Sequence, residues 1–283
     1  MFCVLLSVYK KEKPEYFHEA FSSIWFNQQL KPDQIVLVKD GPLTPELNAV
    51  IMRWKEILGD VITIVNLSKN AGLGAALNAG IKLCKYELIA RMDTDDVAFP
   101  DRFEKQVSFM IEHPEIAVSS GQIEEWDQGL CKKLYERHLP LKHEDIVIFA
   151  KKRSPISHPA VIFRKSAVQE VNGYPKIYPE DFPLWVSMIV AGYKFANLPD
   201  FVLKMRVGDA LMKRRGRGFL KGEVSVFRHM LRLGFIDKPQ FIYNVASRAA
   251  VRLSPWFAKK YFIGLFANSY MPMPSLDITF SIF

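Results

Sequence analysis

One stretch of ten residues decides the fold: Glu87-Leu88-Ile89-Ala90-Arg91-Met92-Asp93-Thr94-Asp95-Asp96. Its apolar beginning is typical of a short buried strand, and the acidic residues follow directly. Three similar apolar runs precede it, at 2–8, 35–38 and 61–65. Apolar residues at helical spacing follow each of the four runs after short connections. This alternation predicts an α/β fold, with a mostly parallel, Rossmann-like sheet flanked by helices on both faces.

The second half of the chain is less regular. We expect strands at 115–126, 160–163 and 195–203, a helix at 143–151, and another helix after Glu180-Asp181. Beyond residue 208 the pattern becomes basic and amphipathic, which predicts a C-terminal helical extension.

Polar side chains stand where the first four predicted strands end. In a parallel sheet these carboxyl ends meet at one edge, and ligands bind in the crevice outside it. The residues concerned are Ser7, Tyr9, Asp40, Asn70, Asp93 and Asp95. Carboxylate oxygens after the fourth strand are natural ligands for Mg²⁺ or Mn²⁺. The alternative is that these aspartates cap the following helix, a role that suits Asp96 or Asp101.

Composition and charge narrow the class of protein. The chain has 49% hydrophobic and 13% aromatic residues, which excludes a disordered protein. We find no apolar run of about 18 residues and no secretory leader, and three scattered cysteines fit a reducing compartment. Residues 202–283 hold 14 Lys/Arg against 4 Asp/Glu, whereas 1–201 is near neutral. This tail indicates an anionic partner, either nucleic acid or lipid head groups, unless it is merely a solvated surface.

Taken together, the motifs resemble those of family 2 glycosyltransferases with the GT-A fold. The matching segments, in the family's order, are 7–9 (SVY), 38–41 (VKDG), 70–74 (NAGLG), 77–80 (LNAG), 90–96 (ARMDTDD) and 180–185 (EDFPLW). The chain is similar in particular to bacterial enzymes that extend lipid-linked sugars for O-antigen, capsule or exopolysaccharide.

The resemblance implies an inverting, metal-dependent hexosyltransferase. Its donor would be a UDP-sugar carrying glucose, galactose or N-acetylhexosamine, and its acceptor a saccharide on a polyprenyl diphosphate lipid. Residues 1–208 would form the catalytic domain, with a nucleotide-binding half at 1–112 and an acceptor-binding half at 113–208. Residues 209–283 would be a basic amphipathic tail that associates with membrane. We therefore expect a cytoplasmic enzyme, peripheral on the inner face of the bacterial cytoplasmic membrane, with no nucleic-acid partner.

The resemblance also assigns roles to single residues. Ser7, Tyr9 and Asp40 would hold the uracil, and Asn70 and Gly72 would form a loop against the nucleotide. Asp93 would serve the ribose and the metal ion, and Asp95 would bind the metal ion directly, with Mn²⁺ or Mg²⁺ as cofactor.

Further roles concern the acceptor side. Asp181 would take the proton of the acceptor hydroxyl, with Glu180 orienting it. His158 and Trp185 are candidate acceptor contacts, although His158 also fits a structural role. Many relatives supply a metal-binding histidine after the late strand, but 203–208 contains none. Three arginines could bind the diphosphate instead: Arg206, Arg214 and Arg215.

Two other functions remain open at this point. A sugar-nucleotide pyrophosphorylase needs a glycine-rich loop with arginine after the first strand, where this chain has Tyr9-Lys10-Lys11-Glu12-Lys13. A non-enzymatic nucleic-acid-binding protein would explain the basic tail, but the tail's apolar and aromatic content argues against a solvated arm.

Overall fold

A computed structural model of the protein describes residues 1–208 and 217–253. The strands are β1 (Phe2–Val8), β2 (Gln34–Lys39), β3 (Ile62–Asn66), β4 (Leu88–Arg91), β5 (Val97–Ala98), β6 (Ile116–Trp126), β7 (Lys133–Arg137), β8 (Ile162–Arg164) and β9 (Lys194–Arg206). The helices are α1 (Pro14–Trp25), α2 (Pro45–Leu58), α3 (Leu73–Leu83), α4 (Arg102–Glu112), α5 (His143–Ala150), α6 (Lys165–Glu170), α7 (Asp181–Val190), α8 (Arg217–Arg232) and α9 (Lys238–Leu253).

The strands form one sheet in the order β3-β2-β1-β4-β8-β6-β9-β5, with β7 paired to β6. From β3 to β4 neighbouring strands are parallel, as the alternation predicted. Beyond β4 the sheet is mixed: β8 runs antiparallel to both β4 and β6, whereas β6 and β9 are parallel. The α/β fold with helices on both faces is confirmed.

The core has two layers, one on each face of the sheet. Along β1, Val4 and Leu6 face the layer beneath α1, α2 and α4, while Cys3 and Leu5 face the layer beneath α3 and α7. Burial on both faces explains why the parallel strands read as continuous apolar runs. Each fully buried large apolar side chain contributes about 1.5–3 kcal/mol, so these layers dominate the stability of the fold.

The sequence did not predict three of the elements. β5 has two residues and α6 has six, which is too short for a periodic pattern to show. β7 consists of Lys133–Arg137, whose residues are mostly exposed, so it carries no apolar signal.

The C-terminal helices α8 and α9 pack on the α/β body. Val226, Phe227 and Met230 of α8 form a buried cluster with Phe182 and Val186 of α7. This part of the predicted tail is therefore structural, whatever else it contacts. Within 1–208 and 217–253, none of the helices is both long and apolar enough to cross a bilayer. Arg214, Arg215 and the stretch 254–283 lie outside the described residues.

Candidate active site

The acidic turn after β4 brings three carboxylates together. Asp93, Asp95 and Asp96 each offer an oxygen that lies within 4.8 Å of the others. Arg91, the last residue of β4, is fully buried and grips Asp93 through both terminal guanidinium nitrogens, Nη1 at 2.9 Å. Residues two apart in an extended chain point the same way, which is how Arg91 reaches Asp93.

The crowding of these carboxylates shifts their acidity. Burial, followed by repulsion from Asp93 and Glu12, raises the pKa of Asp95 to about 7. Burial, followed by repulsion from Asp95 and Asp93, raises the pKa of Asp96 well above its ordinary value. Among the described residues, the buried Oδ2 of Asp96 has no hydrogen-bond partner. An all-carboxylate cluster with an unpaired buried oxygen fits a hard divalent cation such as Mg²⁺ or Mn²⁺, which would relieve the repulsion.

The ends of β1, β2 and β3 form the wall beside this turn. The carboxylate of Asp40 accepts hydrogen bonds from the amides of Ala71 at 2.6 Å and Gly72 at 3.1 Å, and from Asn70 Nδ2 at 2.9 Å. Gly41 has a φ of +87°, and a Cβ there would stand 2.6 Å from Asn70 N. The structure thus brings Asp40, Asn70 and Gly72 together. Of the about four lone-pair sites on the Asp40 carboxylate, three already accept hydrogen bonds from the 70–72 loop.

Ser7 and Tyr9 lie at the same edge. Ser7 pairs with Val38 in the parallel register, and the amide of Asp40 donates to Val8 O at 2.8 Å. Both side chains are partly buried, so each keeps some exposed surface at the strand ends.

Glu180 and Asp181 reach this edge from the other half of the sheet. Asp181 is the first residue of α7, burial raises its pKa, and Ser154 Oγ donates to its Oδ2 at 3.4 Å. Burial also raises the pKa of Glu180. A Cβ on Gly74, in the first turn of α3, would stand 3.0 Å from Glu180 Cβ, so the two halves touch here. The positive charge of Arg91 partly offsets this rise for both carboxyls, so Arg91 acts electrostatically on them as well as on Asp93.

The two candidate acceptor contacts are mainly structural. Trp185 is 0% exposed and packs edge-on against Phe195, which favours a structural role over the predicted contact with an acceptor. His158 Nε2 lies 2.9 Å from the Tyr174 hydroxyl, and burial followed by repulsion from Arg91 holds the pKa of His158 well below its ordinary value. This pairing favours the structural role for His158.

Arg206 is already engaged by the protein. Its side chain is 4% exposed, ion-paired with Glu19 and bonded to the carbonyl of Asp95, while Nε donates to Gln128 O at 3.1 Å. Its backbone amide donates to Asp96 Oδ1 at 3.0 Å. These contacts brace the acidic turn, and they leave the guanidinium poorly placed to serve as the predicted diphosphate ligand.

Comparison with known proteins decides the family. Residues 3–171 match the family profile described as Glycosyl transferase family 2. The chain belongs to glycosyl transferase family 2. Amylovoran biosynthesis glycosyltransferase AmsE of Erwinia amylovora is 44% identical over 83% of this chain and 89% of the relative. The UDP-Gal:alpha-D-GlcNAc-diphosphoundecaprenol beta-1,3-galactosyltransferase of Escherichia coli is 36% identical over 92% of this chain and 94% of the relative.

Solved structures agree on the fold. The mannosyltransferase PcManGT of Pyrobaculum calidifontis, solved with GDP-Man and Mn²⁺, superposes with a TM-score of 0.64 at 16% identity, over 96% of this chain and 81% of that one. This protein is thus a glycosyltransferase with the GT-A fold, and the pyrophosphorylase and nucleic-acid alternatives are set aside.

Sequence reasoning gave no role to several residues that shape this glycosyltransferase site. The role of Arg91 could have been predicted, since an arginine in an apolar strand, two residues before Asp93, is unusual enough to indicate a buried ion pair. Glu12, which accepts a hydrogen bond from Thr94 Oγ1 at 2.8 Å, and Ser154 lie in irregular segments that carry no local signal.

Proposed function

We propose that this glycosyltransferase moves a hexose from a UDP-sugar to a lipid-linked saccharide, with inversion and with a divalent metal ion. The observation that carries the proposal is that Arg91 hydrogen-bonds Asp93 while its charge also acts on Glu180 and Asp181. Candidate metal ligands and a buried candidate base thus share the influence of one guanidinium at the carboxyl ends of the strands, where this class of sheet binds ligands.

On the donor side, Asp93, Asp95 and Asp96 would hold the metal ion. When bound, the ion neutralises the charge that builds on the departing diphosphate. The strand-end residues Ser7 and Tyr9 would contact the uracil, with Asp40 keeping the 70–72 loop in place and offering its remaining acceptor site to the base. Gly72, at φ +87°, would let the backbone of that loop approach the nucleotide.

On the acceptor side, Asp181 would take the proton of the attacking hydroxyl. The burial that raises the pKa of Asp181 makes the carboxylate a stronger base. One displacement at the anomeric carbon inverts its configuration. In this division residues 1–112 serve the donor and residues 113–208 the acceptor, with α8 and α9 completing the acceptor side.

The substrates are proposed from the relatives. The E. coli galactosyltransferase, similar over nearly its whole length, is named for a UDP-sugar donor and a diphosphoundecaprenol acceptor. The Erwinia relative is named for amylovoran biosynthesis. A matching role here would lie in surface polysaccharide synthesis.

A substrate panel tests the proposal. The enzyme is incubated with UDP-glucose, UDP-galactose, UDP-N-acetylglucosamine or GDP-mannose and a short lipid-linked N-acetylglucosamine diphosphate, with Mn²⁺ present. We expect transfer from one UDP-sugar, and a β-linked product from the α-linked donor by NMR. Transfer from GDP-mannose alone, or an α-linked product, would contradict the donor or the stereochemistry.

We further propose peripheral association with the cytoplasmic face of the membrane. Ile148 and Tyr243 line one surface cleft with Lys151 and are 66% and 64% exposed, and Ile242 beside them is 63% exposed. Apolar side chains next to basic ones suit an anionic bilayer surface.

We expect Ile242→Glu to reduce co-sedimentation with anionic vesicles, and high salt to release part of the wild type. Ile111→Glu, at a site 65% exposed on α4, is the matched control. Equal binding by both variants would refute this surface.

A further inference from the structure

A cavity of about 250 Å³ lies beside Asp181, and none of Asp93, Asp95 and Asp96 is among the described residues that line it. Its walls come from residues 152–154, the start of α7, and helices α8 and α9. Lys152, Arg153 and Arg248 supply basic groups, and Phe182 and Phe219 supply apolar surface.

The cavity wall carries an excess of positive charge. Glu223 is shared by two arginines, with Arg248 Nε at 3.4 Å and the Nε and Nη2 of Arg252 at 3.1 and 3.2 Å. One carboxylate therefore meets two guanidinium groups. Arg248 also donates to Lys152 O at 2.8 Å, which holds this wall to the 152–154 segment. Among the described residues at this cavity, the basic groups of Lys152, Arg153, Arg248 and Arg252 outnumber the carboxylates of Asp181 and Glu223, so the cavity favours an anion.

The size and the apolar part of the cavity limit what that anion is. Pockets that enclose a drug-sized ligand have volumes of about 300–1,000 Å³, so this cavity fits the head of a larger molecule rather than the whole. The Phe219 ring lies beneath the Arg252 guanidinium at 4.9 Å and edge-on to Tyr178 at 5.9 Å. An apolar chain attached to the anion would pack against the aromatic rings of Phe219 and Tyr178 as it extends from the cavity.

We propose that this cavity binds the diphosphate of the lipid-linked acceptor, through Lys152, Arg153 and Arg248. Asp181 lines the same cavity, so a diphosphate held at the basic wall places the attached sugar toward the candidate base. In the proposed function the donor's diphosphate is held through the metal ion at Asp93 and Asp95, neither of which is among the described residues that line this cavity. This inference rests on the proposed function and adds to it where the acceptor binds and which chemical group is recognised.

Two acceptors separate the proposal from other roles of these residues. One is a short-chain lipid diphosphate of N-acetylglucosamine, soluble without vesicles, and the other is an alkyl N-acetylglucosaminide without phosphate. We expect Lys152→Gln and Arg248→Gln each to raise the KM for the diphosphate acceptor by about tenfold, the scale of one charge-assisted hydrogen bond. The KM for the donor and for the neutral acceptor should not change. Lys82→Gln, at an exposed site in the last turn of α3, is the control.

Unchanged KM values in Lys152→Gln and Arg248→Gln, or equal increases with both acceptors, would overturn the diphosphate site and leave the proposed transferase activity unaffected. Failure of the wild type to transfer to either acceptor would instead overturn the proposed function. Arg248→Gln alters the ion cluster and is checked by thermal unfolding. Lys152 is exposed, and its ammonium group makes no hydrogen bond or ion pair with the described residues, so Lys152→Gln tests the site without that concern.

Discussion

The side chain of Asn78 joins the two halves of the enzyme in a way that permits a sharp test. From α3 its Nδ2 donates to Tyr174 O at 2.8 Å, and its Oδ1 accepts from Tyr174 N at 2.8 Å. Tyr174 is 3% exposed, so water has little access to these backbone groups. Gly173 precedes it at φ +69°, and a Cβ there would stand 2.4 Å from Asn78 Oδ1.

Asn78→Ala removes both hydrogen bonds and leaves a shielded N–H and a shielded C=O unpaired. Each unpaired group costs about 1–3 kcal/mol, so we expect the free energy of unfolding to fall by about 2–6 kcal/mol. Domains of this kind are stable by about 5–15 kcal/mol, so the variant should still fold. Tyr174 also positions His158 and precedes Glu180, and we therefore expect turnover to fall by about tenfold.

Urea denaturation measures the effect, with Asn78→Asp as the informative partner. The aspartate still accepts a hydrogen bond from Tyr174 N, but its second oxygen faces the carbonyl oxygen of Tyr174 and cannot donate to it. We therefore expect Asn78→Asp to be destabilised at neutral pH and to recover stability when acid protonates the carboxylate. Asn27→Ala, at an exposed site, should change stability by less than about 0.5 kcal/mol. A loss below about 1 kcal/mol in Asn78→Ala would refute the reasoning.

Three further predictions concern the proposed chemistry and the buried histidine. EDTA should abolish transfer and Mn²⁺ or Mg²⁺ restore it, with Asp95→Ala at least about 10²-fold slower; full activity in EDTA would contradict this. Asp181→Asn should lose about 10²-fold or more in turnover while calorimetry shows unchanged nucleotide binding, and normal turnover would refute the base. The folded pKa of His158 lies well below the ordinary 6.5, so below about pH 6.5 the unfolded chain takes up a proton that the folded chain does not. Stability of the wild type relative to His158→Asn should therefore fall by up to about 1.4 kcal/mol per pH unit on acidification, and a pH-independent difference in denaturation would contradict it.

Local pattern was enough to predict β1 to β4, the helices that follow them and the place of the acidic turn. A buried strand needs a run of apolar residues and a helix needs an apolar stripe, and both are visible within about ten residues. The right-handed crossover then places β1 to β4 side by side, which brings Asp40, Asn70 and Asp93 to one edge. The start of α2 at Pro45, the end at Leu58 and the following Gly59 could all be predicted for the same reason.

Only the tertiary structure decided what depends on residues far apart in the chain. Trp185 at the start of a helix after two acids looks like a site residue, yet packing against Phe195 buries it. Arg206 was a plausible diphosphate ligand until Glu19 and the Asp95 carbonyl engaged it, across more than 100 residues of sequence. The packing of α8 on α7 turned part of a basic tail into the wall of a cavity beside Asp181. Such contacts form only when the whole chain has folded and residues far apart in the sequence meet. A local sequence pattern therefore cannot predict which distant side chain will contact a given guanidinium, ring or carboxylate.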